Sequence, residues 1–259
     1  MNISKIDTTK NFVSFFYIKD CYHIDRNTLL TLESMKFYLN IFNGQRIIYV
    51  ANDNITESFK DEVNSIFNFI PNKEIYFVEN HPHFRESFHL VDSINKIQDL
   101  QSITFYFHNK GSTHPYGLDG LSTWILSMFY FNLSEKYIEV TQNKLDNEFF
   151  FSGIYKKVFN WESVNWHYSG AFFWFQTKKV VETPNWDIVN LGRFGLESHP
   201  GKICNSDLSW SNLYTEFGDF EMSQRKFDEI ITAENVGESE YEKFKSFCNY
   251  ITSNTQKYI

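Results

Sequence analysis

Length, composition and charge limit what this chain can be. Its 259 residues, 42% hydrophobic and 22% charged, are enough to bury a sizeable core in one compact domain. The formal charge of −8, without any block of five like charges, argues against broad attraction to a nucleic acid backbone. The sequence therefore indicates an ordinary globular protein that does not bind nucleic acid.

The cysteines and the N-terminal segment indicate a cellular compartment. Cys21, Cys204 and Cys248 are odd in number and widely spaced, which is typical of free thiols in a reducing compartment and not of a structural zinc site. The first residues lack the apolar core of a signal peptide, and no apolar run approaches the ~20 residues of a membrane helix. We expect a cytoplasmic protein without a membrane span, and peripheral association with a membrane stays open.

The first half of the chain alternates strand-like and helix-like segments. Four short, almost wholly apolar runs predict buried strands over 12–18, 45–53, 73–80 and 101–108. The segments between them have apolar residues at helical spacing and predict helices over 25–42, with Asp25 as N-cap, 56–70 and 84–100. This alternation predicts a mainly parallel sheet with helices on both faces, and such sheets bind ligands outside the carboxyl ends of their strands.

The second half has a different character. Residues 121–134 predict a helix with an apolar side that includes Trp124, and 169–176 predict a strand of residues with high β-propensity. Turn-forming residues in 193–201 surround Glu197 and His199 and predict a loop. The tail from 207 to 259 predicts two amphipathic helices that pack on the sheet.

Polar residues follow two of the predicted strands and would line one crevice at the carboxyl edge of the sheet. The fourth strand ends in "HNKGST", which presents His108, Lys110, Gly111 and Ser112, and the second ends in Asn52 and Asp53. No GxGxxG follows the first strand and no GxxxxGK[ST] occurs, which argues against dinucleotide enzymes and P-loop NTPases.

Four motifs carry a resemblance to a known family. They are "FHNKGS" (107–112), "WILSMFYF" (124–131), "HYSGAFFW" (167–174) and "FGLES" (194–198). In this order and spacing, over about residues 12–200, they resemble bacterial and viral sequences assigned to nucleotide-sugar glycosyltransferases of the GT-A type. The resemblance implies transfer of a sugar from a nucleoside-diphosphate sugar donor to a glycan acceptor, in the synthesis of surface polysaccharide or oligosaccharide.

The same resemblance implies a fold and a division of the chain. The expected fold is an α/β, GT-A-like single domain with a mainly parallel mixed sheet, flanked by helices and with the C-terminal helices packed on it. The division expected is a nucleotide-binding half over 12–120, an acceptor-binding half over 121–206 and a C-terminal helical extension over 207–259.

The donor site implied by the resemblance departs from the family in one respect. Many GT-A enzymes end the fourth strand with an Asp-x-Asp pair that holds a divalent cation, whereas this chain has His108-Asn109-Lys110. No cofactor is therefore certain, and a manganese or magnesium ion stays open. We expect Lys110, with His108 and the backbone of Gly111 and Ser112, to stabilise the departing diphosphate, because an ammonium group and a glycine turn both bind anions. Asn52 and Asp53 would contact the base or ribose.

The acceptor site implied by the resemblance centres on Glu197. This carboxylate would take the proton of the acceptor hydroxyl as the sugar bond forms, with His199 as its neighbour or as a metal ligand. Four residues of the third motif are candidates for contacts with donor or acceptor: His167, Ser169, Gly170 and Trp174. Trp174 would stack on a sugar ring. Close packing is the competing interpretation for Gly170 and Trp174.

Two functions of other classes stay open. The aromatic content and the missing Asp-x-Asp fit a noncatalytic carbohydrate-binding protein. The scattered histidines fit a metal-dependent hydrolase built on His81, His83, His108, His114 and His199.

Overall fold

The computed structural model describes residues 8–81, 85–109, 121–158, 164–189, 195–213 and 229–258. The strands within these ranges are β1 (Lys10–Tyr17), β2 (Arg46–Asn52), β3 (Lys73–Glu79), β4 (Ile103–His108), β5 (Phe151–Gly153), β6 (Lys156–Lys157), β7 (His167–Tyr168), β8 (Phe173–Gln176) and β9 (Ser209–Ser211). The helices are α1 (Arg26–Tyr38), α2 (Glu57–Ile66), α3 (Leu90–Asn95), α4 (Leu121–Leu133), α5 (Glu135–Asn147), α6 (Thr177–Val181), α7 (Gly195–Ile203), α8 (Ala233–Val236) and α9 (Glu238–Thr255).

Seven of these strands form one sheet in the order β3-β2-β1-β4-β8-β5-β9, and β6 pairs with β7 separately. The first four strands are mutually parallel. β8 runs antiparallel to both β4 and β5, and β9 is parallel to β5. The predicted α/β fold class, with a mainly parallel mixed sheet flanked by helices, is confirmed, and its GT-A-like character stays a prediction.

Alternate residues of the central strand face two different helical layers. Phe12 and Phe16 of β1 belong to a buried cluster that contains side chains of α1, α2, α4 and α9. Val13 and Phe15 face the opposite side, where the cluster includes α3 and α7. Because both faces of β1 are covered, its sequence is an apolar run without polar alternation, which is why the strand was predictable.

The strand order defines where a ligand crevice lies. The chain passes from β1 to β2 on one side and returns to place β4 on the other side of β1. The carboxyl ends of β1 and β4 therefore form a topological switch point, and in open α/β sheets ligands bind in the crevice outside such a point.

Three predicted elements differ from the structure. The helix predicted over 84–100 is, from Arg85 onward, a 3-10 helix (Arg85–His89) followed by the short α3. The strand predicted over 169–176 begins only at Phe173, because Gly170 (φ 97°) and Ala171 (φ 54°) adopt left-handed conformations that end β-structure.

The loop predicted over 193–201 is a helix in its described part. α7 contains Pro200 in its interior, yet the helix continues, since the Cys204 N–H donates to the Pro200 carbonyl at 3.1 Å. Leu196 and Ile203 bury one side of α7 in the sheet's second cluster. Burial of that side stabilises a helix that the turn-forming sequence disfavours.

The described part of the C-terminal extension belongs to the layer over the first face of the sheet. Phe247 of α9 contacts Tyr38 of α1 and Tyr130 of α4, with ring centroids 5.3 and 5.6 Å away. Phe247 and Ile251 are buried in the same cluster as the side chains of that face.

The Asp25 N-cap predicted for α1 is confirmed, because its side chain accepts from the Asn27 and Thr28 N–H groups.

Candidate functional site

Asn109 joins the ends of β4 and β1 at the switch point. Its Oδ1 accepts from the Tyr17 N–H at 2.9 Å, and its Nδ2 donates to the Tyr17 carbonyl at 2.8 Å. The same Nδ2 donates to Thr28 Oγ1 at 2.9 Å, in the first turn of α1. The sequence analysis assigned Asn109 no role. A buried amide that bonds both polar groups of one backbone residue fixes the floor of the crevice.

Asp53 presents an ionised carboxylate beside this floor. Its two oxygens accept from the Tyr17 hydroxyl at 2.8 Å and from Asn80 Nδ2 at 2.8 Å. These hydrogen bonds, with Lys19 nearby, hold the pKa of Asp53 below its ordinary value. Burial, with the Asp53 contact, raises the pKa of Tyr17 to about 12, so Tyr17 stays a neutral donor. Asp53 is exposed, and its free lone pairs are available to a ligand's hydroxyl groups.

Asn52 has a different structural role from that of the adjacent Asp53. It is buried, and its Nδ2 donates to the Ile18 carbonyl at 2.6 Å and to the Lys19 carbonyl at 3.2 Å. Its Oδ1 accepts from the Asn54 N–H at 2.6 Å. The polar atoms of the Asn52 side chain thus hold the loop after β1, and its contact with a base or ribose stays a prediction. The expectation for Asp53 stays a prediction.

The loop between β1 and α1 encloses a cavity of about 300 Å³ at the crevice. Tyr17 and Lys19 contribute to its wall on the β1 side, and His23 and Thr28 on the α1 side. The sequence analysis did not single out this loop. Its position directly after the first strand of a doubly wound sheet was the signal that could have found it.

His108 links the end of β4 to the second half of the chain. Its Nε2 lies 3.1 Å from the Gly170 carbonyl oxygen. Since a carbonyl only accepts, Nε2 carries the proton of this hydrogen bond. The expected partners of His108 at the diphosphate, Lys110, Gly111 and Ser112, lie outside the described residues.

The turn that reaches His108 has an unusual backbone. Gly170 and Ala171 both have positive φ, and a Cβ at Gly170 would come within 2.7 Å of Met128 Sδ and 2.9 Å of Trp124 Cζ2. The positive φ and these close contacts favour glycine, so close packing accounts for Gly170, and its contact with donor or acceptor stays a prediction. The half-buried Ser169 donates its N–H to the carbonyl of Tyr155, at 3.1 Å. Tyr155 and Ala171 both have positive φ, a conformation that side chains rarely adopt and that clusters at functional sites.

Glu197 and His167 come together beneath this turn. α7 packs against β7, where His167 is paired opposite Lys157 of β6. Burial lowers the pKa of His167 to about 4, while the Glu197 carboxylate acts in the opposite direction and Lys157 adds to the lowering. The half-buried Glu197 thus lies within electrostatic range of a neutral imidazole. His167 is itself buried, and its contact with sugar hydroxyls stays a prediction.

His199 is closed off from solvent. Only 2% of it is exposed, and neither ring nitrogen has a hydrogen-bond partner among the described residues. Burial, aided by Lys202, lowers its pKa to about 4. The expectation that His199 contacts the acceptor stays a prediction, for a side chain that is buried in this structure. No group of three His, Cys, Asp or Glu within the described ranges could hold a metal ion, and His83 and His114 lie outside those ranges.

Trp174 is a core residue. None of its surface is exposed, and its ring lies 5.1 Å from that of Phe105 and 5.7 Å from that of Phe42. Its Nε1 donates to the Asn132 carbonyl at 3.1 Å. Packing is the interpretation that this burial favours for Trp174, and its stacking on a sugar stays a prediction. Trp124, interpreted as core, is indeed buried.

Among known proteins, the chain has matches only in the comparison with solved structures. No family model and no curated protein matches the chain. It is similar to a solved structure of 4-diphosphocytidyl-2C-methyl-D-erythritol synthase from Anaerococcus prevotii, with 10% identity, a TM-score of 0.41, and coverage of 84% of this chain and 93% of that one. A second structure of such a synthase has 13% identity, a TM-score of 0.38, and coverage of 86% and 97%. Both TM-scores are low, so the fold assignment rests on the strand order.

In the parts of the chain that the structure describes, no helix combines the length and the apolar character needed to cross a bilayer.

Proposed function

We propose that this protein is a glycosyltransferase that moves a sugar from a nucleoside-diphosphate sugar to a glycan acceptor. The observation that carries the proposal is the hydrogen bond between His108 Nε2 and the Gly170 carbonyl. This hydrogen bond connects the end of β4, at the crevice of the switch point, to the turn that follows His167. Glu197 lies near His167. In this proposal the ligand-binding edge and the Glu197 carboxylate form one site, as a transfer between two bound substrates requires.

Donor recognition would use the groups around the carboxyl ends of β1 and β2. In dinucleotide-binding sheets an acidic residue near the end of the second strand binds ribose hydroxyls. Although this chain lacks their glycine-rich motif, Asp53 has the same position and is ionised, so we assign it that contact. The nucleoside would occupy the cavity of about 300 Å³ after β1. Lys19 in the cavity wall supplies a cation for the phosphates, and Lys110 with the Gly111-Ser112 backbone remains the predicted partner of the leaving diphosphate.

Glu197 would act as general base in an inverting transfer. Its carboxylate takes the proton from the acceptor hydroxyl as that oxygen bonds to the anomeric carbon, and the electron pair of the breaking bond leaves with the diphosphate. The buried, neutral His167 and the Lys157 side chain would position Glu197 and set its electrostatic surroundings. In this proposal residues 12–120 bind the donor and residues 121–206 bind the acceptor.

A panel of nucleoside diphosphates and sugar nucleotides tests the proposal. We expect at least one to bind by isothermal titration calorimetry, and to release nucleoside diphosphate slowly in ³¹P NMR, with and without manganese. Asp53→Asn should weaken binding, whereas Glu197→Gln should retain binding and lose transfer. Binding without any release, in wild type and Glu197→Gln alike, would indicate a noncatalytic binding protein. No binding by any sugar nucleotide would contradict the proposal.

A further inference from the structure

A second cavity lies at the other end of the sheet, along β9. Its volume is about 940 Å³, which suits a small organic ligand. The strands β8 and β5 separate β9 from β4, so this cavity is distinct from the crevice at the switch point. Aromatic and aliphatic side chains form much of its wall: Tyr137, Val140, Phe149, Trp210, Leu213 and Val236. Val158, which is 58% exposed, also lines it.

Lys156 places a half-buried ammonium group in this wall. Its Nζ donates to the Ser206 carbonyl at 2.5 Å and to the Ser209 carbonyl at 2.9 Å. An ammonium group has three N–H donors, and the described hydrogen bonds use two of them. Burial lowers the pKa of Lys156, while Cys204 and the Asp207 carboxylate act in the opposite direction without forming an ion pair with it. Neutral carbonyls compensate a buried charge less well than a paired anion does. The cavity therefore contains a cation whose charge is not neutralised by an ion pair within the described residues.

The charges around the cavity are mainly positive. Lys136 lies in its wall, and Lys144 Nζ lies 4.0 Å from the centre of the Trp210 ring. Asp207 is the carboxylate that lines the cavity among the described residues. On a chain with a formal charge of −8, such a local excess of lysine favours an anionic ligand.

Most polar side chains of the cavity wall already form hydrogen bonds with other groups of the protein. Asn212 Nδ2 donates to the Phe131 carbonyl at 3.0 Å, and its Oδ1 accepts from Trp210 Nε1 at 3.1 Å. The Ser209 hydroxyl donates to the Ser206 carbonyl at 2.7 Å. The wall thus offers few free groups to the hydroxyls of a saccharide, and it fits a ligand with an apolar body.

We propose that the cavity along β9 binds an amphiphilic anion, with its apolar body against Trp210 and Tyr137 and its carboxylate or phosphate group on the third N–H of Lys156. This site is independent of the proposed transfer reaction, since it shares no residue with the crevice. A carboxylate and a phosphate present the same acceptor oxygens to an ammonium group, so the two head groups are distinguished by experiment.

Calorimetric titration of the full chain with decanoate, decyl phosphate and decanol, each below its micelle concentration, tests the site. We expect at least one anion to bind about tenfold or more tightly than decanol, because a hydrogen bond to a charged group carries the difference. Lys156→Met should lower that anion's affinity about tenfold and leave decanol unchanged. Val140→Trp, which places a bulky side chain in the cavity wall, should weaken binding of all three probes.

Two further variants keep the result interpretable. Lys136→Met alters an exposed side chain of the cavity wall and should lower anion affinity about threefold. This variant tests the site if Lys156→Met does not fold. Lys60→Met, on α2 at the other end of the sheet, should change nothing. Binding of one anion alone selects that head group and supports the site. Anions that bind no better than decanol, or that bind Val140→Trp unchanged, would overturn it.

Discussion

Gly201 of α7 lies directly against the backbone of Trp166, so that a Cβ on Gly201 would come within 2.1 Å of the Trp166 carbonyl oxygen. This contact sets the distance between α7 and the segment that leads into β7. Glu197 and His167 are thereby held at neighbouring positions on the two elements. The position of the proposed base thus depends on a residue that the sequence analysis grouped only with turn formers.

Replacing Gly201 by alanine should destabilise the protein. The added methyl group meets a backbone atom that cannot rotate away, and overpacking of this kind costs about 1–3 kcal/mol. Urea unfolding followed by circular dichroism measures the free energy. Lys202→Ala, on an exposed position of the same helix, is the control and should differ little from wild type. Equal stability of Gly201→Ala and wild type would show that α7 does not rest on the Trp166 carbonyl.

The Asp53 carboxylate should determine nucleotide affinity. Asp53→Asn keeps a similar shape but removes the charge that Tyr17 and Asn80 maintain, so we expect about a tenfold loss in affinity for a bound nucleoside diphosphate. Calorimetric titration measures this loss. Asp61→Asn, an exposed change on α2, provides the matched control. If both variants bind alike, Asp53 is not part of the donor site.

Stability should fall on acidification between about pH 6.5 and 4. Burial lowers the pKa values of His167 and His199 to about 4, below the ordinary value near 6.5. In that interval the unfolded chain takes up protons that the folded protein does not, so each histidine lowers the unfolding free energy by about 1.4 kcal/mol per pH unit. This loss of unfolding free energy is absent at pH values above the histidine pKa of the unfolded chain. It is complete at pH values below the histidine pKa of the folded protein.

A substitution separates these histidines from other titrating groups. His199→Gln should flatten the fall in unfolding free energy between pH 6.5 and 4, as measured by urea unfolding at a series of pH values. His23→Gln changes a histidine whose side chain is 86% exposed and should retain the wild-type slope. A slope that is the same in all three proteins would mean that His199 is protonated in the folded state.

Lys179 should stabilise the end of α5. Its Nζ donates to the carbonyls of Leu145, Asn147 and Phe149 at 2.8, 2.9 and 3.0 Å. These are carbonyls at and just beyond the C-terminus of α5, where a cation is favourable. Lys179→Met should therefore lower the free energy of unfolding by about 1–3 kcal/mol.

The neighbouring lysine offers a matched comparison in the same unfolding experiment. Lys178 forms an exposed ion pair with Glu182 at 3.8 Å, so Lys178→Met should change stability by less than about 1 kcal/mol. If the two variants lose the same free energy, the three carbonyl contacts of Lys179 contribute no more than a surface charge.

Local sequence was sufficient for the parts of the fold that depend on neighbouring residues. The four parallel strands could be predicted because strands covered on both faces need unbroken apolar runs. The Asp25 cap could be predicted because its Oδ1 reaches N–H groups only two and three residues away. The crevice followed from the strand and helix order, since parallel strands in such a sheet end at the same edge.

Local sequence was not sufficient for the α7 helix or for the tasks of individual polar residues. Asn52 and Asp53 are adjacent and similar in polarity, yet one is buried under a loop and the other faces solvent.

By itself, then, the sequence determined the order of strands and helices and the edge at which they present polar residues, because these depend on short-range periodicity and capping. Only the tertiary structure decided that Trp174 and His199 are buried, that Glu197 lies beside His167, and that Lys156 lines a second cavity. Those relationships arise from packing between residues far apart along the chain, and no local pattern encodes which side chains that packing leaves exposed.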